Sequence, residues 1–66
     1  MDIGQRISEI RKQKGITFRY LSEESGISTK NIGNIEKGKT DPQISTVKRI
    51  LCVLGYHLEI IEKAIE

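Results

Sequence analysis

Apolar side chains recur every three or four residues along most of this 66-residue chain, in short stretches that each end at a glycine. This spacing puts the apolar groups of a stretch on one face of a helix, and glycine is common just past a helix end. Thr17 and Ser28 are suitable N-caps, because their hydroxyls can accept the free N–H groups of a first helical turn. The sequence therefore predicts an all-α fold of four amphipathic helices, over residues 2–14, 18–25, 29–36 and 44–54.

The final segment, residues 56–66 (YHLEIIEKAIE), fits two structures. A helix would align Leu58 with Ile61 and Ile65. A strand over 57–62 would instead gather alternate apolar residues on one face, and its β-branched residues favour this alternative. Because a lone strand has unpaired backbone groups along both edges, we expect it to pair with its own copy across a homodimer. The predicted dimer contacts are Tyr56, Leu58 and Ile60.

Size and residue content exclude several classes of protein. A chain this short makes one marginal domain, predicted over residues 1–55, with a dimerisation tail over 56–66. One cysteine and one histidine form neither a disulfide nor a four-ligand zinc site, and we expect Cys52 to lie in the core. No apolar run is long enough to cross a bilayer, and no signal peptide is evident. We therefore expect a cytoplasmic protein with no cofactor, metal, membrane partner or small-molecule ligand.

Charge is unevenly distributed along the chain, although the net charge is only +2. Residues 1–20 carry five basic and two acidic side chains, and residues 28–50 carry the same numbers. Residues 51–66 carry three acidic side chains and one basic side chain. A basic body with an acidic tail suits a polyanion on one side and a different partner on the other.

Residues 25–28, Ser-Gly-Ile-Ser, join two short predicted helices as in a helix-turn-helix motif. In that motif the second helix lies in the DNA major groove, and its N-terminal residues contact base edges. Lysine can donate to guanine, asparagine can pair with adenine and threonine can contact thymine, so we predict base contacts from Thr29, Lys30 and Asn34. Contacts with the DNA backbone are predicted for Thr17, Ser28, Asn31, Lys37 and Lys39.

Along residues 3–55 the chain resembles the Cro/phage-repressor type of helix-turn-helix regulator, the xenobiotic-response-element family. The matching motifs are Gly15-Ile16-Thr17, Ser25-Gly26-Ile27-Ser28, Ile35-Glu36-Lys37-Gly38-Lys39 followed by Pro42, and Leu54-Gly55. The resemblance implies a four-helix, lambda-repressor-like fold and DNA contacts from the helix that begins after Ser28. It also implies an ion pair between Arg11 and Glu36 that ties the first helix to the third.

Phe18 and Gly33 need separate explanations. The family favours glutamine at position 18, where it contacts a phosphate, but this chain has Phe18, which cannot make that hydrogen bond. We consider three roles for Phe18: burial, a wedge at the DNA surface, or contact with a partner. Gly33 costs its helix about 1 kcal/mol relative to alanine, so it either permits close approach to the groove or is simply tolerated.

Two classes of function fit these features. The first is a sequence-specific transcriptional regulator, expected to be a repressor, that binds a palindromic operator as a homodimer with recognition helices about 34–36 Å apart. The tail is similar to that of HipB-type antitoxins, which implies a toxin partner; a controller of a mobile element or of a restriction-modification system is the other role in this class. The alternative class is a protein-interaction module of the same fold without operator binding. No catalytic or nucleotide-binding motif is evident, so we expect no enzyme activity.

Overall fold

In the computed structural model of this chain, residues 2–62 and residue 64 are described. They contain four helices, α1 (Ile3–Gln13), α2 (Phe18–Ser25), α3 (Thr29–Glu36) and α4 (Ile44–Val53). The predicted all-α class is confirmed, and every helix begins and ends within one residue of its predicted bounds. Residue 1 of the predicted domain and residues 63, 65 and 66 of the predicted tail lie outside the described residues.

The first three helices begin at side-chain caps that the local sequence supplies. Thr17 Oγ1 accepts a hydrogen bond from the Tyr20 N–H at 3.0 Å, and Ser28 Oγ accepts one from the Asn31 N–H at 3.1 Å. Both predicted caps are therefore confirmed. Asp2, predicted as the first residue of its helix, is instead the cap of α1. These bonds satisfy N–H groups that a helix start otherwise leaves without a partner.

One apolar core joins all four helices. Its ten members among the described residues are Ile7, Ile10, Leu21, Ile27, Ile32, Ile35, Val47, Ile50, Leu51 and Leu54. α3 packs against both α1 and α2, and α2 also packs against α4. The position of α3 is thus determined from two sides, which matters because α3 is the predicted DNA-reading helix.

Two apolar residues of α4, Ile44 and Cys52, lie at the surface. The Ile44 side chain is 72% exposed, since it belongs to the first turn of α4, beyond the edge of the core. The prediction that Cys52 is buried is wrong: its thiol is free and exposed. Each helical residue is rotated by about 100° from the one before it, so Cys52 faces away from the stripe that contains Val47 and Ile50.

α1 and α3 approach each other closely at Gly4. This glycine is buried in the first turn of α1, and a Cβ atom on it would collide with the Ile35 carbonyl oxygen of α3. Only glycine lets the two backbones meet at this distance. The helix pattern of the sequence contains no signal for this contact, because the contact joins residues that are far apart in the chain.

The tail after α4 has no helix or strand within residues 56–62. It is anchored where the Tyr56 N–H donates to the Leu51 carbonyl at 2.8 Å, and Leu58 and Ile60 then lie beside Ile44 at the start of α4. Ile60 and Ile61 remain exposed. The proposed strand requires a second copy of the chain for its pairing, so the strand and the dimer stay predictions.

Candidate nucleic-acid interface

The connection between α2 and α3 forms a tight, internally bonded turn. Gly26 adopts φ +76°, in the left-handed region that favours glycine, and its N–H donates to the Ser22 carbonyl at 2.9 Å. The Ile27 N–H donates to Ser25 Oγ at 3.2 Å inside the protein, and the Ile27 side chain enters the core. The turn therefore fixes how α3 leaves α2.

α3 presents a polar face to solvent because its apolar face is buried. Ile32 and Ile35 are 0% and 2% exposed, and they anchor the helix to the core. Thr29 and Lys30 are exposed on the other side, while Asn34 is half-buried at its edge. Within the described part of the chain, none of these three side chains makes a hydrogen bond or an ion pair. Their donors and acceptors are available to a ligand.

The residues predicted to contact the DNA backbone are all exposed, and they lie at the N-termini of α2 and α3 and at the C-terminal end of α3. Thr17 and Ser28 use their hydroxyl oxygens to cap α2 and α3, and their hydroxyl hydrogens remain available. The exposed residues of this set are Thr17, Ser28, Asn31, Lys37 and Lys39. The two lysines follow the C-terminal end of α3 and form no ion pair with any described residue.

A buried ion pair connects α1 to α3 and holds α3 in position. Arg11 Nε lies 2.7 Å from Glu36 Oε2, and a second guanidinium nitrogen lies 3.1 Å from Oε1. The two side chains are only 10% and 6% exposed. A third bond runs from Arg11 to the Ile16 carbonyl at 2.9 Å. The contact that the family resemblance implied is therefore present, in the bidentate geometry that makes arginine–carboxylate pairs strong and directional.

The aromatic ring of Phe18 packs against the arginine of this ion pair. The Arg11 guanidinium carbon lies 4.1 Å from the centroid of the ring, which is the geometry of a cation–π contact. Phe18 is nevertheless 38% exposed, so it is not a core residue. The sequence shows that position 18 lacks the glutamine that the family favours. It contains no signal that the phenylalanine ring covers Arg11.

The other predicted residues lie elsewhere. Tyr56, Leu58 and Ile60, the predicted dimer contacts, belong to the tail beside α4 and not to the α3 surface. Among residues 2–62 and 64 there is no group of three histidine, cysteine or acidic side chains that could hold a metal ion. None of the helices in those residues is both long enough and apolar enough to cross a bilayer.

Comparison with known proteins identifies the family of this fold. The family described as helix-turn-helix matches residues 7–61, which is most of the chain and includes the turn and α3. The chain belongs to the helix-turn-helix family. This confirms the predicted resemblance to regulators of the Cro/phage-repressor type, whereas the antitoxin-like tail stays a prediction.

Several curated relatives are regulators by name. The chain is 44% identical over 55 residues to the HTH-type transcriptional regulator PuuR of Escherichia coli, a match that covers 83% of this chain and 30% of that protein. It is 33% identical over 61 residues to the immunity repressor protein of Bacillus phage phi105, covering 92% and 42%. It is 36% identical over 53 residues to the HTH-type transcriptional regulator SinR of Bacillus subtilis, covering 79% and 48%.

The matches cover less than half the length of these three relatives. No solved structure is significantly similar to the chain.

Proposed function

We propose that this protein is a sequence-specific DNA-binding transcriptional regulator, a repressor without enzyme activity, that acts in the cytoplasm and reads its operator with α3. The observation that carries the proposal is the outward face of α3. Three polar side chains there, Thr29, Lys30 and Asn34, have no partner within the described residues, although the helix beneath them is firmly packed. Such side chains on a helix narrow enough for the major groove can discriminate bases by hydrogen bonding and by contact with the thymine methyl group.

The phosphate contacts in this proposal come from the residues around α3. Thr17 and Ser28 offer hydroxyls at two helix N-termini, Asn31 offers an amide, and Lys37 and Lys39 offer positive charge next to the helix end. Such contacts fix the orientation of a protein on the duplex and make its affinity fall steeply with salt. The Arg11–Glu36 pair acts as a positioning contact, since it holds α3 against α1.

The proposal also includes a homodimer on a palindromic operator, formed by residues 56–66, with residues 1–55 as the DNA-binding domain. A two-fold dimer would place two copies of α3 one helical turn of DNA apart. The exposed apolar side chains of the tail, Ile60 and Ile61 above all, support an interface there. A toxin protein is the further partner in this proposal if the protein is the antitoxin of a toxin–antitoxin operon.

The proposal is tested by mobility shift on the DNA upstream of the protein's own gene, with random DNA as competitor, at two salt concentrations. We expect wild type to give a discrete shift that survives the competitor and weakens at the higher salt. A Thr29→Ala/Lys30→Ala/Asn34→Ala variant should lose at least about 100-fold in affinity, because three base-reading side chains are removed.

Lys48→Ala is the matched control, since it removes one exposed positive charge from α4 and leaves α3 intact. It should bind within about threefold of wild type. If the triple variant and wild type bind equally weakly, α3 does not read that DNA. A binding site should then be selected from a pool of random DNA sequences. If that selection also fails, the alternative of an interaction module without an operator replaces the proposal.

A further inference from the structure

Two residues whose roles the sequence leaves open, Phe18 and Gly33, line the same cleft. The cleft has a volume of about 280 Å³ and lies where α1, α2 and α3 meet. α3 and its C-cap contribute Gly33 and Lys37 to the cleft. Both residues lie within three positions of Asn34, a predicted base-reading residue. The remaining lining residues are Ser8, Arg11, Lys12, Phe18 and Glu36.

Nothing inside the protein requires glycine at position 33. A Cβ atom at this position would meet no atom within 4 Å, and the φ angle of Gly33 is not positive. Alanine would therefore fit and would favour the helix by about 1 kcal/mol. The open space above Gly33 is available to a molecule that approaches α3 from outside.

The Phe18 ring is held in place beside that space. One side of the ring is covered by the Arg11 guanidinium at 4.1 Å, and Arg11 is itself fixed by Glu36 and by the Ile16 carbonyl. Phe18 keeps 38% of its surface exposed to solvent. An exposed aromatic surface that is already immobilised can bind an apolar group without losing side-chain entropy at that moment.

We infer that Phe18 and Gly33 form an apolar notch that recognises the 5-methyl group of one thymine in each operator half-site. The inference rests on the proposed function, because it requires α3 to lie in the major groove. Thymine carries the only apolar group on the base edges of that groove, and phenylalanine is one of the side chains that contacts it. Exposed Lys12 and Lys37 beside the notch supply positive charge for the neighbouring phosphates.

The test replaces each thymine of the operator, one at a time, by deoxyuridine, which removes only the methyl group. For wild type, we expect one position in each half-site where the substitution weakens binding about fourfold, the value of one buried methyl group. Phe18→Gln should bind the thymine and uracil operators equally at that position. Tyr20→Gln is the matched control, because Tyr20 is an exposed aromatic residue of the same helix outside the notch, and it should keep the fourfold ratio.

Gly33→Ala adds a second, independent readout. Its methyl group should occupy the notch, so binding to the thymine operator should weaken while binding to the uracil operator is largely restored. Loss of folding cannot produce this reversal.

The inference is overturned if replacing thymine by deoxyuridine has no effect on wild-type binding at any position. It is also overturned if the effect persists in Phe18→Gln, because the methyl group would then contact another residue such as Thr29. A chain that binds no specific operator at all would overturn the proposed function together with this inference. The two failures are therefore distinguishable.

Discussion

Arg11 and Glu36 form a buried ion pair, and its contribution depends on both partners being present. Removing two charges from water is costly, and this cost is offset here by two direct bonds, a third bond to the Ile16 carbonyl and the ring of Phe18. When one member of such a pair is deleted, the other remains buried without compensation. The pair therefore makes the docking of α3 on α1 sensitive to single substitutions.

We predict that Glu36→Ala lowers the free energy of unfolding by about 3 kcal/mol. A domain of this size has only roughly 3–10 kcal/mol in total, so this variant should be partly unfolded at moderate urea concentrations. Urea denaturation followed by circular dichroism measures the effect. Glu9→Ala is the control, because its pair with Arg6 is about half exposed and 3.6 Å long, and it should change stability by less than about 0.5 kcal/mol. Equal effects of the two substitutions would contradict the structural role of Glu36.

The two glycines within helices have opposite environments, which gives a matched pair of substitutions. Gly4→Ala should destabilise the protein by more than about 2 kcal/mol, because its Cβ would push α1 away from the Ile35 carbonyl. Gly33→Ala should raise stability by up to about 1 kcal/mol, because its Cβ meets open space. Thermal denaturation of both variants measures the difference. A Gly33→Ala variant less stable than wild type would show that this glycine has an internal role.

Ser28 caps α3 and is also a proposed phosphate contact, and substitution can separate the two roles. Ser28→Ala removes the cap of α3, so we expect a loss of about 1 kcal/mol in stability as well as weaker DNA binding. Ser28→Asp keeps a capping oxygen but introduces a negative charge toward the phosphates. We therefore expect near wild-type stability with a loss of at least about tenfold in operator affinity. Operator binding by Ser28→Asp at wild-type strength would remove Ser28 from the predicted phosphate contacts.

Dimer formation is predicted to involve the tail, because the apolar side chains within residues 56–62 are exposed in a single copy. Ile60 and Ile61 are 104% and 78% exposed, so substituting them should leave the fold of one copy intact. In the predicted strand the two side chains point to opposite faces, and only Ile60 lies with Tyr56 and Leu58. We expect Ile60→Lys to shift the protein toward monomer in sedimentation velocity, whereas Ile61→Lys stays a dimer. A dimer that survives both substitutions would contradict the strand interface.

The helices and the outward face of α3 were predictable from the sequence because they depend on local rules. Apolar spacing determines which face of α3 is buried, and so leaves Thr29, Lys30 and Asn34 outside. The caps at Thr17 and Ser28 depend on residues only three positions apart. The Arg11–Glu36 contact spans 25 positions, and it was accessible only through the family resemblance.

The tertiary structure decided everything that depends on two distant segments meeting. It placed Phe18 on Arg11, opened the space above Gly33, closed the space above Gly4, and left Ile44 outside the core. Periodicity describes the faces of one helix, but it contains no information about where a neighbouring helix ends or how closely two backbones approach. Local patterning therefore determined which helices form and which surface is predicted to read DNA, whereas packing between helices determined the shape of that surface.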